Sequence, residues 1–166
     1  MTVTRLEPAL DPGTLRRVLG AFPSGVVAVA AQVDGAYVGL AASSFTSVSL
    51  EPALVSVSVA NTSSTWPVLR SASHLGLSVL ADHHDAACAR LAGPAEQRFT
   101  GLDLHATADG AVLLEDAVAT FDCTVHREIV AGDHTIVLLR LHAVDDDGGS
   151  PLVFHRSGFG RVADSA

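Results

Sequence analysis

Gly25-Val26-Val27-Ala28-Val29-Ala30-Ala31, then Asp34-Gly35, then Tyr37 to Phe45: this stretch decides the fold. Small and β-branched apolar residues in an unbroken run are strand material. Asp-Gly is a strong hairpin signal, because both residues tolerate the positive φ that a type I′ turn demands. Tyr37 to Phe45 therefore returns antiparallel to the first run. Working outward, Leu54-Val55-Ser56-Val57-Ser58-Val59 alternates with the period of a half-buried strand, Ser56 and Ser58 sharing one face. Leu75 to Leu80, Ala117 to Ile129, Thr135 to Val144, Leu152 to His155 and Phe159 to Val162 read as further strands. Ala131-Gly132-Asp133-His134 joins the two long ones, and Asp145 to Gly149 reads as a solvated turn.

The helical signals are few and short. Thr14 to Leu19 follows Asp11-Pro12, a capping carboxylate and a proline suited to a first turn, and Gly20 and Pro23 end it. Ser64 to Arg70 is a second short helix with Ser63 or Ser64 as its cap, and Asp85 to Leu91 is a third, closed by Gly93-Pro94. Many strands without regular intervening helices predict a mainly β protein, a closed or nearly closed antiparallel barrel. No linker or repeat divides the chain, so residues 1–166 form one domain with a core over about 12–163.

Composition narrows the function classes. With 48% apolar and 17% charged residues the chain is globular. No apolar run reaches the ~18 to 20 residues of a membrane-spanning helix. Met1 to Leu10 lacks the apolar centre of a signal peptide, which predicts a cytoplasmic protein. A net charge of -8 argues against nucleic acid or an anionic membrane as partner. Cys88 and Cys123 stand at no metal or redox spacing and read as packing residues.

Two hydroxyl-rich clusters could carry chemistry. Ala41-Ala42-Ser43-Ser44-Phe45-Thr46-Ser47-Val48-Ser49 brings small side chains and hydroxyls to a strand end, where a flat ring or a phosphate could approach the backbone. Asn61-Thr62-Ser63-Ser64-Thr65 precedes a helix, a position that favours phosphate. Polar turns with capping residues have the same composition. Gly132-Asp133-His134 could place an imidazole at a pocket, or be a turn with an exposed His. His83-His84-Asp85 is a poor metal site, because adjacent residues of a strand point to opposite faces. Asp145 to Asp147 lacks the spaced ligands of an EF-hand loop. Neither G-x-S-x-G nor S-x-x-K is present, and no G-x-G-x-x-G or Walker loop stands in strand-helix context.

Taken together, the segments resemble the short-chain flavin reductases that serve two-component flavin monooxygenases. The resemblance is carried by Phe22-Pro23-Ser24-Gly25-Val26-Val27-Ala28-Val29 and by Ala42-Ser43-Ser44-Phe45-Thr46-Ser47-Val48-Ser49-Leu50-Glu51-Pro52. Arg98-Phe99, Gly132-Asp133-His134 and Pro151-Leu152-Val153-Phe154 extend it over about Leu15 to Val162.

The resemblance implies a split β-barrel with Greek-key connections that forms a homodimer. It implies FMN or FAD as the flavin, NADH or NADPH as donor, and a flavin-dependent monooxygenase as recipient of the reduced flavin. By the same likeness Ala41, Ala42, Ser43 and Ser44, with Ser47, line the isoalloxazine and ribityl chain. Ser58, Val59, Ala60, Asn61, Thr62, Ser63 and Ser64 cover the other side and reach toward the phosphate. His134 falls near the nicotinamide, Phe159 shapes that pocket, and Arg98 meets a phosphate or the adenine part. Ala41 and Ser43 depart from the Thr or Asn common in the family, and Pro52-Ala53 from its paired prolines. A module of the same fold that binds flavin without reducing it in solution, or a purely structural β protein, would carry many of the same signals.

Overall fold

The computed structural model describes residues 10–163. The helix α1 (Pro12–Leu19) is capped by Asp11, whose carboxylate accepts from the amides of Gly13 and Thr14. The strands β1 (Ser24–Gly25), β2 (Val27–Val33), β3 (Ala36–Ala42), β4 (Thr46–Leu50) and β5 (Ala53–Ala60) follow. Then come α2 (Trp66–Leu69), β6 (Leu75–Val79), α3 (Asp85–Leu91), a 3-10 turn at Ala95–Gln97, β7 (Leu104–Ala106) and β8 (Val112–Leu114). The chain closes with β9 (Ala119–Ala131), β10 (His134–Asp146), β11 (Leu152–His155) and β12 (Gly158–Arg161).

Seven strands form one antiparallel sheet in the order β3-β2-β6-β9-β10-β5-β4. Its two edge strands, β3 and β4, are consecutive in the chain and joined by Ser43 to Phe45 alone. So short a connection requires the sheet to roll until its edges meet. The seam carries no backbone ladder. Instead the Ser44 hydroxyl accepts from the Ser58 amide at 2.8 Å and donates to the Ser58 carbonyl at 3.1 Å. The expected mainly β barrel is thus present, split along one seam. A three-stranded sheet, β1-β11-β12, and the hairpin β7-β8 flank it.

The core explains why β2 reads as a continuous apolar run. Val27, Val29 and Ala31 face a cluster with Val55, Val57, Val59, Leu75, Leu77, Val137 and Leu139, with Trp66 and Leu69 of α2 packed into the same cluster. Val26 and Ala28 face a second cluster with Leu80, Leu114, Leu152 and the Ala87, Cys88 and Leu91 face of α3. A strand buried on both faces cannot alternate. Asp34 and Gly35 hold φ of 50° and 80°, the expected primed turn of the β2-β3 hairpin.

Several sequence expectations shift. The strand expected over Tyr37 to Phe45 ends at Ala42, and the second half of the hydroxyl-rich stretch forms β4. The solvated turn expected from Asp145 begins only after Asp146, because Asp145 and Asp146 still pair with Thr120 and Ala119 on β9. Exposed carboxylates do not interrupt a ladder made by the backbone. His83 and His84 lie in the turn leading into α3 rather than on a strand, and their ring centroids are 4.2 Å apart instead of pointing to opposite faces. The amino-terminal reading falls almost wholly outside the described residues. Among the described residues no helix is long and apolar enough to cross a membrane.

Candidate functional site

A groove of about 400 Å³ opens at the seam of the barrel. One wall is the end of β3, from Leu40 to Ser44; the other is Ser58, Val59 and Ala60 at the end of β5. Ser63, Thr65, Arg98, His134 and the exit of α3 at Leu91 and Ala92 complete it. Small side chains line both walls, so a flat ligand can reach the backbone. As an edge strand, β3 pairs only with β2, which leaves its other row of amides and carbonyls free of any ladder. These features meet the needs of a planar heteroaromatic ring with polar edges.

His134 is placed by its turn. Gly132 has a φ of 67°, the left-handed region that opens a type II′ hairpin turn, so β9 reverses into β10 in two residues. Asn61 holds this turn from β5's end. Its amide nitrogen donates to the Gly132 carbonyl at 3.1 Å, its backbone amide donates to the Asp133 carbonyl at 2.9 Å, and its side-chain oxygen accepts from the Thr135 hydroxyl at 2.8 Å. The His134 ring, half exposed, is bonded through Nδ1 to the Asp133 carboxylate at 2.8 Å, which leaves Nε2 for a ligand. That bond is the main cause holding the Asp133 carboxyl below its ordinary range, with a weaker contribution from Arg16.

Gly39 leaves room for the Phe99 ring, the residue after Arg98, to pack against β3. A Cβ on Gly39 would come within 2.6 Å of the Phe99 ring and 2.8 Å of the Val29 carbonyl oxygen. The Arg98 guanidinium donates to the carbonyls of Gly93 and Gly39 and to the Thr65 hydroxyl, at 2.9, 2.8 and 2.7 Å. These bonds tie β3, α2 and the exit of α3 together, so Arg98 is a structural brace as well as a wall residue.

Of the residues singled out from sequence, Ala41, Ala42, Ser43, Ser44, Ser58, Val59, Ala60, Ser63, Arg98 and His134 line the groove. The Ser63 hydroxyl accepts from the Trp66 amide at the start of α2, whose N-cap position is held by Thr65. Asn61 lines a neighbouring cleft with Trp66 and Glu128, while Ser47, on exposed β4, and the exposed Thr62 and Ser64 lie off the groove. Phe159 lies with Val26, Cys88 and Phe154 in an apolar pocket of about 210 Å³ that shares Ala41, Ala42, Ser43 and Ala92 with the groove. Leu91 and Ala92 were not legible as site residues, since an apolar helix end far along the chain gives no local signal. His74, Asp109 and Asp122 bring donor atoms within 4.8 Å of one another, an assembly of distant residues that no sequence motif announced.

The family described as "Flavin reductase like domain" matches residues 19–163. The chain belongs to the flavin reductase family. Within that family it is 39% identical over 160 residues to a flavin reductase of Pseudomonas putida, covering 95% of this chain and 94% of the other. It is 38% identical to the actinorhodin polyketide dimerase of Streptomyces coelicolor, covering 95% and 90%. It is 32% identical to the reductase subunit of a flavin-dependent monooxygenase from Rhodococcus jostii, covering 89% and 76%. Among solved structures, the NADH:FAD oxidoreductase of Streptomyces globisporus, in complex with NAD and FAD fragments, superposes with a TM-score of 0.90 at 32% identity, covering 98% and 99%.

Proposed function

We propose that the seam groove holds the isoalloxazine of FMN or FAD, and that His134 stands at the nicotinamide ring of NADH or NADPH stacked against it. One observation carries this reading: the small-residue walls Ala41–Ser43 and Ser58–Ala60 face one another across a groove that His134 borders. When bound, the two cofactors supply hydride transfer from nicotinamide to flavin. The protein's part is to bind and orient. The Ser44 clasp fixes the spacing of the two walls, so the ring meets a preformed slot. Ser43, Ser63 and the free edge of β3 offer donors to ring carbonyls and to the ribityl phosphate. His134 is steadied by Asp133 below and by Asn61 behind, and its free nitrogen orients the donor's carboxamide.

Reduced flavin then passes to a flavin-dependent monooxygenase, a role supported by the relative named as the reductase subunit of such an enzyme. A second copy of the chain covers the exposed apolar residues Val48 and Leu50 of edge strand β4, Val130 of β9 and Val144 of β10. Leu50 is 96% exposed in the single chain, an apolar side chain on an edge strand of the kind a partner subunit covers. Light scattering should return twice the 17.1 kDa chain mass. The buried thiols and the need for a nicotinamide donor favour the cytoplasm, the reducing compartment where that donor resides.

The decisive assay mixes the purified protein with FMN or FAD and with NADH or NADPH, and follows the nicotinamide absorbance. Steady oxidation that depends on added flavin supports the reading, and comparison of the four pairs fixes both preferences. The alternative is a flavin-binding module of the same fold that does not reduce free flavin, and the same assay separates the two. Flavin retention with no donor oxidation would select it.

A further inference from the structure

His74 stands just before β6, Asp122 lies on β9, and Asp109 lies in the turn of the β7-β8 hairpin. Their donor atoms lie within 4.8 Å of one another, and none of the three lines the seam groove. His74 Nδ1 is bonded directly to one Asp122 carboxylate oxygen. The other oxygen is met only by the Thr107 hydroxyl, at 3.5 Å, which leaves lone pairs to spare. No arginine pairs with either carboxylate: among the described residues the arginine ion pairs are Arg70 with Glu128 and Arg161 with Asp82.

Anchored backbone brings these distant residues together. Asp122 pairs with Gly76, two residues after His74, in the β6-β9 ladder. A Cβ on Gly76 would lie 2.0 Å from the Val112 carbonyl oxygen, so glycine is what lets β8 lie against β6. The Leu114 amide donates to the Ser78 hydroxyl at 3.0 Å, and the Gln32 amide donates to the carbonyl of Gly110, next to Asp109, at 2.9 Å. His142 occupies a bulge of β10 between the pairs Leu141–Cys123 and Ala143–Asp122. Its ring stands 5.2 Å from that of His74, and the Thr124 hydroxyl bonds its Nε2 at 2.8 Å. Beside the cluster, a cleft of about 200 Å³ shares Thr107 and Asp122 and is lined by Glu115, Asp116, Asp145 and Asp147. In a protein of net charge -8, such a cleft concentrates cations at the cluster.

We propose that His74, Asp109 and Asp122 bind one divalent transition-metal ion, zinc foremost, which clamps the β7-β8 hairpin to the barrel. One imidazole and two carboxylates are ligands that zinc accepts, with water in the fourth position. Calcium and magnesium are served by oxygen ligands alone. Ligand atoms of one tetrahedral zinc stand roughly 3.3 Å apart, and the exposed Asp109 closes the remaining distance by side-chain rotation. The ion needs the folded hairpin to gather its ligands, so binding adds to the stability of the native state.

The test is calorimetric titration of zinc alone into the untagged, metal-stripped protein, with thermal unfolding in parallel. The expected result is one ion per chain and a rise in Tm that a chelator reverses. His74→Gln and Asp109→Asn should each raise the zinc Kd about tenfold or more, at least the effect of losing a partner that supports a ligand. Asp109 is exposed, so its variant keeps the fold and decides the matter even where His74→Gln unfolds the chain. His83→Gln and His105→Gln remove histidines paired with other carboxylates and should leave the titration unchanged. Absence of saturable zinc binding overturns the proposal, as does binding that Asp109→Asn leaves intact. Loss of binding in His105→Gln would put the ion in the acidic cleft instead, and competition by excess magnesium would refute the assignment to a transition metal.

Discussion

Removing the Ser44 hydroxyl should open the barrel seam and the groove together. Ser44→Ala deletes one bond accepted from the Ser58 amide and one donated to its carbonyl. Both groups sit in a part-buried position on a strand whose neighbours Val57 and Val59 are core residues. Each such bond contributes about 0.5–1.5 kcal/mol net, and a backbone group left without a partner costs about 1–3 kcal/mol where water cannot reach it. Ser58 is only half-buried, so water recovers part of this loss. The expected destabilisation is about 1–3 kcal/mol, or a fall in Tm of roughly 3–9 °C for a chain of this size. Thermal and urea unfolding should be run at fixed protein concentration, because an assembled protein gains apparent stability by mass action. Ser44→Thr keeps a hydroxyl and should recover most of the loss. Flavin titration by fluorescence quenching should show weaker binding for Ser44→Ala, since the two walls lose their common fastener. An alanine variant as stable as the wild type, with the same flavin Kd, would refute the claim that this hydroxyl closes the seam.

Three other perturbations follow from the geometry. His134→Ala should raise the nicotinamide KM by about 2- to 10-fold, the weight of one hydrogen bond, with a smaller fall in kcat; unchanged steady-state constants would remove His134 from the donor site. Gly39→Ala should cost about 1–3 kcal/mol by overpacking, because the new methyl meets both the Phe99 ring and the Val29 carbonyl, and it should loosen flavin binding by displacing Arg98; normal urea unfolding would show the contact to be soft. Burial pushes the Cys123 thiol up to about 12, with Asp122 adding to the effect. The unfolded chain therefore releases this proton first, so stability should fall as pH rises above about 9, and alkylating reagents should leave Cys123 unmodified at neutral pH until the chain unfolds; labelling of the native protein would contradict this.

Much of this was legible in the chain because it is local. The alternation of Leu54 to Val59, the Asp34-Gly35 turn, the Asp11 cap and the Asp85–Leu91 helix each follow from residues a few positions apart, and all are present. The groove was legible where both walls come from strand ends rich in small residues. It was not legible at Leu91 and Ala92, whose part depends on where α3 packs. Asn61 was read as a ligand-side residue, yet its bonds go to the turn that bears His134, over 70 residues away in sequence.

Residue type and period fix which stretches are strands and where they turn, because those choices depend on backbone sterics and on one buried face. They do not fix which distant amides a hydroxyl will pair with. Ser44 meeting Ser58 across the seam is a consequence of rolling a seven-stranded sheet whose edges are joined by three residues. That meeting is set by packing over the whole chain, which no local pattern encodes.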